Sequence, residues 1–327
     1  MTQAAGEVQH RLQSLEDIRH LLRSIRAMSA IRWRRARLRL RSAQQYASTV
    51  DRQLALATTF PTALTRGAHH PHEEGPSGAK RPALSTTEGS LGLIALTSDQ
   101  GLCGTFNIGL AAHALDFIER ERERGKKIRV IALGEYGERF FRRAGCELLY
   151  TQRFPLTHAI SFVEARDIVD KVKHFYEAKA FNTLYLIYNQ FVSFGRYQRG
   201  EVRLLPPDLA AVWHTQKSGF SEKTRFRGTL VPEDLILGTP PQDLQEFLLW
   251  EHLAVQVYLA LIESLVSEQG ARLQTMDAAI ANLDERVEEL QLQYHAIRQE
   301  SITREVLEVQ SNTRSRRPFP NPPVGGL

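Results

Sequence analysis

The sequence predicts an α+β chain with two long coiled-coil helices, one at each end, flanking a central α/β layer. Three observations carry this. In the C-terminal quarter Met276, Ile280, Leu283, Val287, Leu290, Tyr294 and Ile297 alternate in steps of four and three, which is the seam of a coiled coil. Near the N-terminus Val8, Leu12, Leu15, Leu22 and Ile25 step by four, three, seven and three. Between the two, short apolar runs alternate with helical stretches, the pattern of a largely parallel sheet.

Composition frames the reading. The 327 residues, 42% of them hydrophobic, suffice for a substantial core in one large or two modest domains. Cys103 and Cys146 are the only cysteines, too few for a disulfide framework or a zinc site, and a reducing compartment is expected. No run approaches eighteen apolar residues, so no direct membrane span is expected. Met1 to Glu7 has neither a basic start with an apolar core nor the arginine-rich character of an import peptide.

The first element, over residues 8–59 within an N-terminal segment 1–60, is a helix. After a basic block its seam resumes at Ala43, Ala47, Val50, Leu54 and Ala57. Between Ile18 and Val50 no acidic residue occurs, whereas Arg19, Arg23, Arg26, Arg32, Arg34, Arg35, Arg37, Arg39 and Arg41 all do. A one-sign block on a solvated face repels itself, so an acidic neighbour is expected. Nucleic acid is the competing partner, because arginines on a helix neutralise phosphates. Only Trp33 is interleaved as a stacking aromatic, however, and a membrane-surface helix would need a broad apolar face opposite the charge. From Arg32 to Arg41 charged and apolar residues alternate, which spreads the charge round the helix and suits an acidic protein that surrounds it.

Residues 61–89, rich in proline and glycine with His69, His70 and His72, read as a flexible connector or surface insertion, and the histidines as solvated rather than metal-binding. The central domain, 90–235, is expected to contain strands at Leu91–Thr97, Lys127–Leu133 and Thr183–Phe191, with a short edge strand at Glu201–Leu205. Helices are expected at Asn107–Arg124, Glu135–Arg143 and Phe162–Ala178. The turn Ser98-Asp99-Gln100-Gly101-Leu102-Cys103-Gly104 joins the first strand to the first helix. Its spacing is neither a dinucleotide fingerprint nor a phosphate loop. Gly101 and Gly104 are therefore read as permitting a tight turn, and Cys103 as a small buried packing residue without a histidine to activate it. No catalytic residue, cofactor site or metal site is expected. The last helix, within 236–312, runs from Pro241 to Ser311, with its stripe reaching back through Leu273, Leu265, Leu261, Ala254 and Phe247. At about 1.5 Å per residue such a helix is roughly 105 Å long and needs a partner for its seam. The proline-rich tail, 313–327, is expected to be disordered.

Three stretches, in order, resemble the γ subunit of F-type ATP synthases. Thr97 to Asn107 resembles that family's hallmark turn, with Ser98, Asp99, Gly101, Cys103 and Gly104 at matching positions. It departs at Gln100, where arginine is usual, and at Thr105, where glycine is usual. Ser267-Glu268 through Ala271-Arg272 to Met276-Asp277, followed by Tyr294, Arg298-Gln299 and Ser301 to Glu305, resembles the C-terminal run. Arg26-Ala27-Met28 leading to Arg34-Arg35-Ala36 resembles the N-terminal helix. Between Met28 and Arg34 the helix is about three residues shorter than the family pattern, a swing of roughly 60° round the axis.

The resemblance implies that the two end helices wind as an antiparallel coiled coil with a Rossmann-like α/β domain inserted between them. It implies a rotor shaft in the cavity of a hexamer of α and β subunits, in one copy, with the lower part and the α/β domain bound to the ε subunit and the membrane c-ring. The complex would sit on the cytoplasmic face of the bacterial inner membrane, and the subunit itself would be non-catalytic, without cofactor. Carried over by position, Met28 would face the acidic lever region of β and Arg298, Gln299, Thr303 and Glu305 would couple to it, with Arg26 also among the rotor-stator coupling residues. Glu268 and Arg272 belong to the same network. The alternative is an arginine-rich coiled-coil protein that binds nucleic acid.

Overall fold

The computed structural model of the chain describes residues 2–64, 89–154, 160–207 and 241–315. In order they form helix α1 (Thr2–Leu64), strand β1 (Leu91–Leu96), α2 (Phe106–Glu123), β2 (Ile128–Leu133), α3 (Glu135–Arg143) and β3 (Leu148–Gln152). There follow α4 (Phe162–Glu177), β4 (Thr183–Ser193), β5 (Arg196–Leu205) and α5 (Pro241–Ser315). The chain divides into two compact units, one from its ends up to Met28 and from Thr275, the other from Ser29 to Gln274.

In the first unit Val8, Leu12, Leu15, Leu22 and Ile25 of α1 are half-buried, and Met276 and Val287 of α5 are buried at 1% and 3% exposure. Arg19 bonds Asp284 at 3.2 Å and Arg26 bonds Asp277. As one residue number rises the other falls, so the helices are antiparallel. These acids also answer the start of the arginine band, since Arg23 too lies 3.8 Å from Asp284.

The second unit has the same antiparallel sense, with His252 Nδ1 2.7 Å from Asp51 and Gln245 donating to the Ala57 carbonyl at 2.8 Å. Here the sequence expectation needs correction. The seam of α1 is not interrupted by the basic block, because Ser29, Ala36 and Leu40 are buried in step with Ala43, Ala47, Val50, Leu54 and Ala57. Small residues carry the seam there, and the arginines occupy the remaining faces.

The five-stranded sheet has the order β3-β2-β1-β4-β5, with the first four strands parallel and β5 antiparallel at the edge. Strand alternation sends Leu91, Leu93 and Ala95 to one face and Ile94 and Leu96 to the other. The first set packs on Leu110, Ala114, Phe117 and Ile118 of α2 and Phe141 of α3. The second shares a core with α4, with Ala36 and Leu40 of α1, and with the stretch from Leu253 to Val266 of α5. A capping box starts α4, Ser161 accepting from the Glu164 amide while Glu164 accepts from that of Ser161. The end helices thus form the second layer of the domain. An apolar window of α5 meets the length and composition of a membrane span, but 61% of it is buried within the protein, which marks a core helix.

Other differences are local. The edge strand β5 starts at Arg196 rather than Glu201, and β3 is an additional strand. Phe247 is 58% exposed and lies outside the seam. Helix α1 continues through residues 61–64, and α5 through 313–315. The rest of the connector with its histidines, and of the proline-rich tail, lies outside the described residues.

Candidate functional site

The strand-to-helix turn after β1 is held by its own polar groups. Ser98 donates its amide to Asn107 Oδ1 at 2.9 Å, and its hydroxyl donates to the Gln100 carbonyl at 2.7 Å. Asn107 Nδ2 in turn donates to Ser98 Oγ at 2.8 Å and to the Gln100 carbonyl at 3.3 Å. Asp99 faces outward from this knot. Its two carboxylate oxygens accept from the Glu135 amide at the start of α3, at 2.7 Å, and from the Phe154 amide after β3, at 2.5 Å. Burial nonetheless pushes the Asp99 carboxyl above its ordinary value, against the two amides.

Of the two glycines assigned to the turn, only Gly104 has a positive φ, +60°; the other left-handed residue is Leu102, at +61°. Gly101 has open space around it. The turn therefore needs glycine at 104 but not at 101, contrary to the expectation for Gly101. The departures from the family pattern are harmless for related reasons. Gln100 is exposed and contributes its carbonyl, and Thr105 precedes α2 with an ordinary φ of −86°.

Cys103 is buried, 2% exposed, as expected. Burial, and then the nearby Glu268, raise its thiol above the ordinary range, so it is poorly suited to act as a nucleophile.

Glu268 and Arg272 come to this turn. Arg272, 3% exposed, donates from Nη2 to Glu268 Oε1 at 2.6 Å and to the Gly101 carbonyl at 3.2 Å, and from Nε to the same carbonyl at 3.3 Å. Burial raises the Glu268 carboxyl while Arg272 opposes the shift. Arg272 Nη1 is buried without a hydrogen-bond partner, but a close pair whose Nε and Nη2 reach carbonyls tolerates this burial, whereas either member alone would not. The pair belongs to the interior of the second unit.

The other coupling candidates lie on the surface of the first unit. Met28 is 52% exposed, and Arg26 is exposed while bonded to Asp277. Arg298, Gln299, Thr303 and Glu305 are exposed along α5, and the Thr303 hydroxyl donates back to the Gln299 carbonyl at 2.9 Å. The structure thus separates the sequence-predicted residues into an exposed set and a buried pair. The sequence did not single out the β4–β5 hairpin, which reaches α5 at Gly270. Its only forewarning was that lone glycine inside a long helix.

The profile of the ATP synthase family matches residues 4–315. Similar relatives include the ATP synthase gamma chain of Alkaliphilus metalliredigens, 27% identical over 94% of this chain and 97% of the relative. That of Legionella pneumophila is 26% identical over 93% and 96%. The fold is similar to that of a chain in the Euglena gracilis mitochondrial ATP synthase OSCP/F1/c-ring structure, with a TM-score of 0.64 and 14% identity over 99% of this chain and all of that one. The nucleic-acid alternative finds no support in these relatives. With its family turn, its antiparallel end helices and this match over nearly its whole length, the chain belongs to the ATP synthase family as a divergent γ chain.

Proposed function

We propose that this chain is the central rotor shaft of an F-type ATP synthase, coupling transmembrane ion flow to ATP synthesis or hydrolysis by rotation. The observation that carries the reading is the antiparallel pairing of α1 with α5 in a chain matched to the family over residues 4–315. The shaft comprises 1–60 and 236–312 and the foot comprises 90–235, with 61–89 and 313–327 as appendages. One copy would turn in the cavity of an α and β hexamer, its foot bound to the ε subunit and the c-ring, on the cytoplasmic face of the bacterial inner membrane. The subunit performs no chemistry itself; its asymmetry drives the β subunits through their binding states.

Surface chemistry supports this assignment. Arg26, Met28, Arg298, Gln299, Thr303 and Glu305 are exposed and suited to sliding contacts with the hexamer. Among the described residues no carboxylate lies within ion-pair distance of the exposed Arg34, Arg35, Arg39 and Arg41, which leaves them for an acidic partner. Exposed pairs of about 0–1 kcal/mol each guide a rotor without locking it. Co-expression with the α and β subunits tests the proposal: an ATPase complex containing one copy of this chain is expected, and failure to isolate any such complex would defeat it.

A further inference from the structure

Along α5 the residues from Val266 to Leu273 are buried without a break. Successive helical residues point about 100° apart, so this segment has no solvent face. Elements of the second unit close round it. The 98–104 turn holds Arg272 through the Gly101 carbonyl. The β4–β5 hairpin lies against Gly270, where an added Cβ would stand 3.2 Å from the Gly195 nitrogen. Gly195, at φ +69°, is itself crossed by the Gln274 side chain. From α1, the Trp33 ring meets Phe194 of the hairpin edge-on, 5.1 Å between centroids.

We propose that the turn and the hairpin form a collar that fixes the angular setting of α5 about its own axis, with Arg272 as the positioning residue. The proposal rests on the rotor reading, to which it adds where the foot grips the shaft. Apolar packing alone lets a helix slip between neighbouring ridges, but the Gly101 carbonyl follows directly on that of Gln100, which the Ser98 hydroxyl and the Asn107 amide hold in place. At a radius of about 6 Å a rotation of about 20° carries the guanidinium about 2 Å, beyond hydrogen-bond reach. Arg272 and Glu268 then act inside the rotor rather than on the hexamer, and turning of the foot passes to α5 without slip.

The test uses complexes assembled with the full chain in membrane vesicles. For Arg272→Met the ratio of ions pumped to ATP hydrolysed should fall severalfold, with Arg272→Lys intermediate, since a point charge cannot reproduce the planar fork. Amide exchange at Ser98 and Phe106, whose N–H groups are bonded across the turn, should rise about tenfold or more while β1 stays protected. Gly270→Ala, which presses on the hairpin from a different side, should shift both readouts in the same direction. Unchanged pumping ratio and unchanged exchange would overturn the collar. If Arg272→Met does not assemble, Arg272→Lys and Gly270→Ala are judged by the same two readouts. If the wild-type chain itself joins no complex, the rotor reading fails, and exchange in the isolated full chain still decides the collar.

Discussion

Asp99 offers a quantitative check on the turn. Its carboxylate joins the end of β1 to the start of α3 and to the segment after β3, through the Glu135 and Phe154 amides at 2.7 and 2.5 Å. Hydrogen bonds to a charged group contribute about 1.5–3 kcal/mol each, and Asp99→Ala removes two. Partial exposure puts both at the low end, and relief of the burial that raises its carboxyl offsets a share. A net loss of about 2–3 kcal/mol is expected for Asp99→Ala, and about half of that for Asp99→Asn, which keeps one acceptor oxygen. Urea denaturation of the full chain, followed by circular dichroism at unchanged m-value, measures both. A loss under about 0.5 kcal/mol for alanine, or equal losses for the two variants, would refute the assignment of two independent amide bonds.

Other consequences are as direct. Met276→Ala, at a position 1% exposed, should cost about 2–5 kcal/mol in the same assay. Phe247→Ala, 58% exposed, should stay within about 0.5 kcal/mol; comparable losses would mean that the seam is misplaced. A double-mutant cycle on Arg26 and Asp277, whose side chains are 51% and 50% exposed, should give a coupling of at most about 1 kcal/mol that shrinks with salt. Glu268 has a folded-state value raised by burial above the ordinary 4.5. The folded protein therefore binds the extra proton, and this carboxyl's contribution to stability declines as pH rises from that ordinary value through the folded one. The stability difference between wild type and Glu268→Gln should decline over that window; a difference independent of pH contradicts the burial.

The helix seams were legible because a coiled coil writes itself in steps of three and four, and Met276 to Ile297 shows them plainly. The middle of α1 looked broken because Ser29 and Ala36 are too small to stand out among arginines, although the geometry needs only small residues where α1 lies against a sheet. Strands β1, β2 and β4 were readable as apolar runs. Strand β3, Leu148–Gln152, is half-buried throughout and offers no alternation. At the candidate site the family turn pointed to Gly104, whose φ is positive, and also to Gly101, whose surroundings are open, and it gave no partners. Arg272 meets the Gly101 carbonyl 171 positions away, a distance that no local pattern encodes. The grip on Gly270 was hidden for the same reason.

On the proposed function this chain turns inside a hexamer of α and β subunits. On that reading a cysteine introduced as Met28→Cys, exposed on α1, is expected to crosslink to the acidic segment of β, while Cys103 and Cys146 are buried with thiols raised by burial and so react slowly. ATP turnover of the assembled complex should stop in proportion to the crosslinked fraction and return on reduction. Full turnover from a fully crosslinked complex would contradict a rotating shaft.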